Sequence, residues 1–352
     1  MCASSNSGQI ANAAVDIWLA EGVDSVLKYE DDLNLFHCPV QDGAFLNNHF
    51  RYNYDYDTAL SIIQPLGIPW HRKKGTQKFH HIITFISLEW NLHDHTVTLP
   101  EKKRLKFLQH CHSFIANFSS HPCTLNDIDK IHSSLSYISI VYPHGRSYNA
   151  PLSSFASSFR TEFQTRRPPP LVLSSIQWWI STLEMVGSPR LLIPRGDVID
   201  LGIFVNASTS WGIGVVISGQ WTAFRLAPDW KIPRRDICWL ETLAVKFAVY
   251  YLEKMGFQNS RLLIHLDNQG TIGALDKGRS SNVPINLAVC RTYTALAAIS
   301  VSVDINYIAS ADNPADPISR GILGPLSSKL NISFHLPKEL ISAFIHYVHP
   351  AS

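Results

Sequence analysis

The chain has 352 residues, 45% of them hydrophobic and 16% charged, so it can bury a sizeable core over two or three domains of roughly 100–200 residues each, which excludes disordered, collagen-like and coiled-coil classes. Thirty Lys and Arg against 28 Asp and Glu leave a formal charge of +2, a sum that is silent about partners because nucleic-acid binding depends on where charge sits. No uncharged apolar run reaches the ~18–20 residues of a membrane span, the start lacks a basic-then-apolar leader, and Cys2, Cys38, Cys111, Cys123, Cys238 and Cys290 show no C-x-x-C spacing. A soluble intracellular chain with free thiols and no membrane partner is expected, its compartment (cytoplasm or nucleus) open.

In chain order, periodicity predicts a helix over Ala11–Ala20, then a β-hairpin in which Val26–Tyr29 and Leu33–Phe36 flank Glu30-Asp31-Asp32. A helix over Thr58–Gln64 leads to Leu66-Gly67-Ile68-Pro69-Trp70 and the basic stretch Arg72-Lys73-Lys74. A second hairpin follows, His81–Trp90 against Thr96–Leu99 around His93-Asp94-His95. Helices are predicted over Glu101–Phe118 and Thr124–Tyr142, with Pro100 and Thr124 at their starts and Pro143 and Gly145 ending the pair. Ser153–Phe163 and Ser174–Val186 continue the helical pattern, with Arg166–Pro170 and Gly187-Ser188-Pro189 as linkers.

Beyond Pro194 the pattern becomes strand, strand, strand, helix, strand, helix: Leu201–Val205, Trp211–Ile217, Gln220–Leu226, the long helix Asp236–Met255, Arg261–Leu266, then helices over Asn268–Leu275 and Pro284–Ile299. A strand Val301–Ile308, a short helix after Pro314 and a tail with one amphipathic helix over Pro337–Tyr347 complete the chain.

Metal-assisted phosphodiester hydrolysis needs carboxylates converging from several elements, because two divalent ions about 3.5–4 Å apart must be neutralised while keeping open positions. Three acids stand at element ends: Glu241 early in the long helix, Asp267 after the fourth strand, and Asp316 in the segment Ala311–Arg320 after the fifth. Singly, such residues read as a solvated helix position and as caps; their joint order points to a site. That order resembles the ribonuclease H fold, and the strings LETLAVKFAVYYL, IHLDNQGTIGAL and ADNPADPISRG resemble the ribonuclease H domains of retrotransposon reverse transcriptases over about Asp197–Gly321. The resemblance implies Mg²⁺ at a two-ion site held by Glu241, Asp267 and Asp316, hydrolysis of RNA in an RNA:DNA hybrid, and Ser208 and Asn268 beside the nucleic acid. The family's first acid matches Asn206, which is not an acid. Losing one unit of charge at ~4 Å and an effective dielectric of ~20 removes ~4 kcal/mol, nearly three decades in rate. Asp200, six residues upstream, would sit ~20 Å away on the same face. No His lies between Ile305 and Asp316, where the family carries one in a loop.

In the first half, Tyr29-Glu30-Asp31-Asp32 on a hairpin tip resembles the Y-x-D-D box of reverse transcriptase palms, with Leu66–Pro69, a primer-grip-like Ile83–Trp90 and the helix-opening Leu99–Arg104 following in the family's order. The match runs from about residue 5 to 190 and implies Asp31 and Asp32 as metal ligands. The fold class expected is α+β, a partial reverse transcriptase palm (1–99) with a helical thumb and connection (100–190), followed by an α/β ribonuclease H-like domain (195–325) and a tail (326–352). The family's fingers and first palm acid have no counterpart before residue 5, so no polymerisation is expected, and the ribonuclease H site is expected to be degenerate. Lys102, Lys103, Arg104 and Lys106 are candidate phosphate contacts. The His and Cys cluster from His93 to His132 has no zinc spacing. Partners expected are an RNA:DNA hybrid or primer-template and other element-encoded protein segments. A non-enzymatic nucleic-acid-binding protein and a weakly active nuclease of the same superfamily are the alternatives.

Overall fold

The computed structural model describes residues 3–23, 25–30, 32–37, 52–68, 78–185, 189–193, 196–332 and 335–346. Cys2, Asp31, Cys38, Pro69, Trp70, Arg72, Lys73, Lys74, Gly187 and Ser188 lie outside the described residues. The chain divides into two compact units, Met1–Pro100 and Glu101–Ser352.

In the first unit, helix α1 (Ala3–Ala20) buries Ala14 and Trp18, whose indole donates to the Ala59 carbonyl (2.7 Å) on α2 (Tyr56–Ile63). Strands β1 (Val26–Tyr29) and β2 (Asp32–Leu35) pair antiparallel from Val26 with Leu35 to Tyr29 with Asp32, and Glu30, next after β1, has a φ of +53°. The predicted single strand His81–Trp90 is two: β3 (Ile82–Phe85) and β4 (Leu88–Asn91), joined at Ile86 and Ser87 with φ of +45° and +61°. Positive φ at both turn residues suits the twist of a tight hairpin, but no Gly or Asn marks it, so the apolar run reads as continuous. Strand β5 (Thr96–Thr98) pairs antiparallel with β4.

The second unit opens with α3 (Glu101–Phe118), a two-residue strand β6 (Cys123–Thr124) and α4 (Leu125–Ile138), started by a capping box between Thr124 and Asp127. The helix pair ends before Pro143, as expected, but Gly145 itself begins α5 (Gly145–Ala156), displacing the helix expected over Ser153–Phe163 and placing Pro151 inside. The physical reason is packing: a Cβ on Gly145 would lie 2.1 Å from the Trp179 ring. The expected Arg166–Pro170 linker is shortened to residues 167–169, between β7 (Thr165–Arg166), paired with β6, and α6 (Pro170–Glu184), where a starting proline fits because the first turn needs no amide donor. Trp179 donates to Asn149 Oδ1 (2.9 Å), and Asn149 donates to Ser139 Oγ (3.0 Å), so the polar groups buried among these helices are paired.

After a short strand β8 (Arg190–Leu191) come β9 (Ile199–Ala207), β10 (Gly212–Ile217), β11 (Gln220–Leu226), α7 (Ile237–Lys254), β12 (Arg261–Leu266), α8 (Gln269–Lys277), α9 (Val283–Ala298), β13 (Ser302–Tyr307), α10 (Ala315–Ser319) and β14 (Phe344–His346). They form a six-stranded mixed sheet of order β13-β12-β9-β10-β11-β14, with β12 parallel to both β9 and β13 and the other pairs antiparallel. Alternation sends Ile203, Val205, Ile213 and Val215 into the core under α7 and α9, and turns Phe204, Val216 and Trp221 to the opposite face, where α10 packs through Ala315 and Ile318. The helix expected over Pro337–Tyr347 is a 3-10 turn (Lys338–Leu340) followed by β14. Apolar residues 340, 343 and 344 fit helical spacing, but the free edge of β11 supplies backbone partners, and Phe344 is buried opposite Leu226. Among the described residues no helix is long and apolar enough to cross a membrane.

Candidate active site

Parallel pairing of β9 and β12 brings their carboxyl ends side by side, with Phe204 opposite His265. Two residues on, Asn206 and Asp267 emerge on the same face at the same edge. Asp316 arrives from α10, and Glu241 from the second turn of α7, reaching the end of β9 through a hydrogen bond accepted from the Ala207 amide at 2.9 Å. Asn206 Nδ2 donates to Asp316 Oδ1 (3.1 Å) and Asp267 Oδ2 (3.3 Å). All four positions singled out in the second half therefore meet at one sheet edge.

The charges there are balanced from within. Arg320, one turn beyond Asp316, donates from Nε and Nη2 to both of its carboxylate oxygens at 2.9 Å each, and Ser310 Oγ adds a third donor at 3.3 Å. These bonds, Arg320 first, hold the Asp316 carboxyl below its usual range. Glu241 is 3% exposed, and burial, reinforced by Asp267 and Asp316, pushes its carboxyl up to about 8. Its Oε2 has no hydrogen-bond partner among the described residues. A two-ion centre needs several free carboxylate oxygens facing common points. Here an N–H donor lies between Asp267 and Asp316, a guanidinium occupies Asp316, and Glu241 favours its neutral form, so the donor set does not fit two divalent ions as arranged. Among the described residues no three His, Cys, Asp or Glu side chains group as metal ligands.

The other predicted residues are placed as follows. Asn268 caps α8, accepting from the Thr271 amide at 2.9 Å, and Ser208 Oγ bonds Ser210 Oγ at 2.8 Å beside the site. Arg104 is bound to Glu101 (2.7 Å) and to the Leu183 carbonyl, whereas Lys102 and Lys106, one turn apart on α3, are exposed. Asp32 and Tyr29 are exposed on the first unit's hairpin. Asp200 bonds the Gly202 amide (2.8 Å) and His265 Nε2 (3.1 Å), away from the four converging residues.

Sequence reading passed over three residues that build this edge. Gly214 faces Asn206 across β10 and β9, and a Cβ there would lie 2.5 Å from the Ala315 carbonyl and 2.7 Å from the Ser319 amide, so only glycine lets α10 lie on the sheet. Asn313 is buried, donates to the Val205 carbonyl (3.0 Å) and accepts from the Ala315 amide (3.0 Å), which fixes the approach of α10. Arg320 was legible only as part of the string ending I-S-R-G; its i, i+4 spacing from Asp316 was the available signal.

No family model and no curated protein matches the chain. Among solved structures it is similar to a foamy viral protease-reverse transcriptase dRH in complex with double-stranded DNA, at 11% identity and a TM-score of 0.37, over 84% of this chain and 48% of that one. It is also similar to a foamy viral protease-reverse transcriptase in complex with RNA/DNA hybrid, at 10% identity and a TM-score of 0.35, over 93% of this chain and 40% of that one. The chain thus spans less than half the length of either.

Proposed function

We propose that the second unit contains, over residues 195–325, a ribonuclease H-like domain whose hydrolytic site is closed by its own side chains, in a retrotransposon-type reverse transcriptase chain that keeps a nucleic-acid partner, an RNA:DNA hybrid or primer-template. The observation that carries this reading is the Asn206 amide donating to Asp267 and Asp316 at the point where strand and helix ends converge with Glu241. Exchanging a carboxylate for an amide there removes a negative charge and inserts a donor, which satisfies the two neighbouring acids without an ion. The exposed pair Lys102 and Lys106 on α3 favours retained phosphate binding.

The test is hydrolysis of the RNA strand of a labelled hybrid in the presence of Mg²⁺. The natural chain should cleave at background, and Asn206→Asp should gain at least about two decades, a conservative part of the ~4 kcal/mol charge effect. Adding Asp267→Asn should remove the gain. A natural chain that cleaves hybrids, with Asp267→Asn abolishing it, would overturn the closed-site reading in favour of a weakly active nuclease. A folded Asn206→Asp protein that stays silent would show that the acids do not work together.

A further inference from the structure

A cavity of about 280 Å³ opens in the second unit, between α5 and α6 on one side and the start of α9 on the other. Its floor is apolar, formed by Pro151, Phe155, Val172 and Leu287, and its rim carries Arg166 and Arg167 with the hydroxyls of Ser280 and Ser281. No Asp or Glu is among its lining residues. Both arginines are exposed, and neither forms an ion pair among the described residues; Arg166 spends one Nη1 donor on the Ser158 carbonyl (2.7 Å). Ser280 Oγ accepts from the Asn282 amide (3.2 Å), which leaves its own hydrogen to donate. The first turn of α9 begins beside these hydroxyls with no side-chain cap.

We infer that this cavity binds a phosphorylated nucleoside, the base against the apolar floor and the phosphate between Arg166, Arg167 and Ser280. Two guanidinium forks and the serine hydroxyls offer more donors than one carboxylate accepts, whereas a phosphate monoester brings about −1.5 to −2 charge and three acceptor oxygens that match them. The apolar floor has no use for a bare inorganic anion, and the volume suits one heterocycle rather than an extended chain. The ligand is either a free mononucleotide or the phosphorylated end of a nucleic-acid strand. The site is distinct from the edge formed by Asn206, Asp267 and Asp316 and does not depend on whether that edge is active.

The test uses the full chain and titration calorimetry with adenosine 5′-monophosphate, adenosine, a short oligonucleotide with and without a 5′-phosphate, and an acidic peptide. Arg167→Gln removes charge at an exposed side chain with no hydrogen bond or ion pair among the described residues, and Ser154→Trp fills the mouth from an exposed lining position. The monophosphate should bind at least about tenfold more tightly than adenosine, and each variant should lose about tenfold while its thermal unfolding is unchanged. Stronger competition by the 5′-phosphorylated oligonucleotide than by the monophosphate would identify a strand end as the ligand; the reverse would identify the free nucleotide. Equal binding of adenosine and its monophosphate, affinity unaffected by both variants, or tighter binding of the acidic peptide would overturn the proposal.

Discussion

A carboxylate and a carboxamide share one shape, yet the amide of Asn206 donates to the acids around it where a carboxylate could only accept. The consequence for Glu241 can be read from stability. Its carboxyl titrates at about 8 in the folded chain against an ordinary 4.5, so between those values the folded state binds the extra proton and stability falls as pH rises, levelling off above about 8. The loss should be on the order of a few kcal/mol across that window. Glu241→Gln keeps an oxygen to accept from the Ala207 amide and has no charge to desolvate, so its urea midpoint should be flatter with pH than that of the natural chain. A natural chain with no decline between about pH 5 and 8 would show that Glu241 is solvated.

At the level of elements, α10 is five residues long, too short to hold itself, and reaches the sheet because Gly214 offers no side chain and Asn313 clamps the loop before it. Gly214→Ala should therefore cost about 1–3 kcal/mol by denaturant melting and speed hydrogen exchange at Ala315–Ser319, while exchange in α7 stays protected. The segment before β14 is tied by Glu339, which pairs with Lys246 (3.4 Å) and Arg291 (3.2 Å). Burial in the middle of α7 pushes the Lys246 ammonium down to about 8. Phe344 anchors the strand itself, fully enclosed among Trp239 and Phe247, and Phe344→Ala should cost about 3–5 kcal/mol in the same measurement.

For the molecule as a whole, the small net charge leaves binding to local basic surfaces. If α3 grips phosphates, log K for a hybrid should fall with log salt, and charge reversal at Lys102 and Lys106 should flatten that slope by about one per lost contact. Arg104, held by Glu101 and the Leu183 carbonyl, should behave differently: its removal should lower stability more than it changes the salt slope. Filter-binding or anisotropy titrations at several salt concentrations separate the two, and binding indifferent to salt would count against the basic face.

The strands from Leu201 to Ile308, the long helix with Glu241 and the order of the three acids could all be read from the chain, because period and punctuation are local and survive without knowledge of neighbours. The hairpin bearing Asp32 was legible for the same reason. What needed the tertiary structure was whatever depends on a distant partner. Gly145 looked like a helix stop until Trp179 showed what its missing side chain makes room for, and residues 340–344 looked helical until the free edge of β11 claimed them. Sequence also showed that Asn206 lacks a charge. Only the fold showed that its amide lies between Asp267 and Asp316, since hydrogen bonds spanning 61 and 110 residues have no signature along the chain, whereas the Arg320–Asp316 contact has one in its i, i+4 spacing.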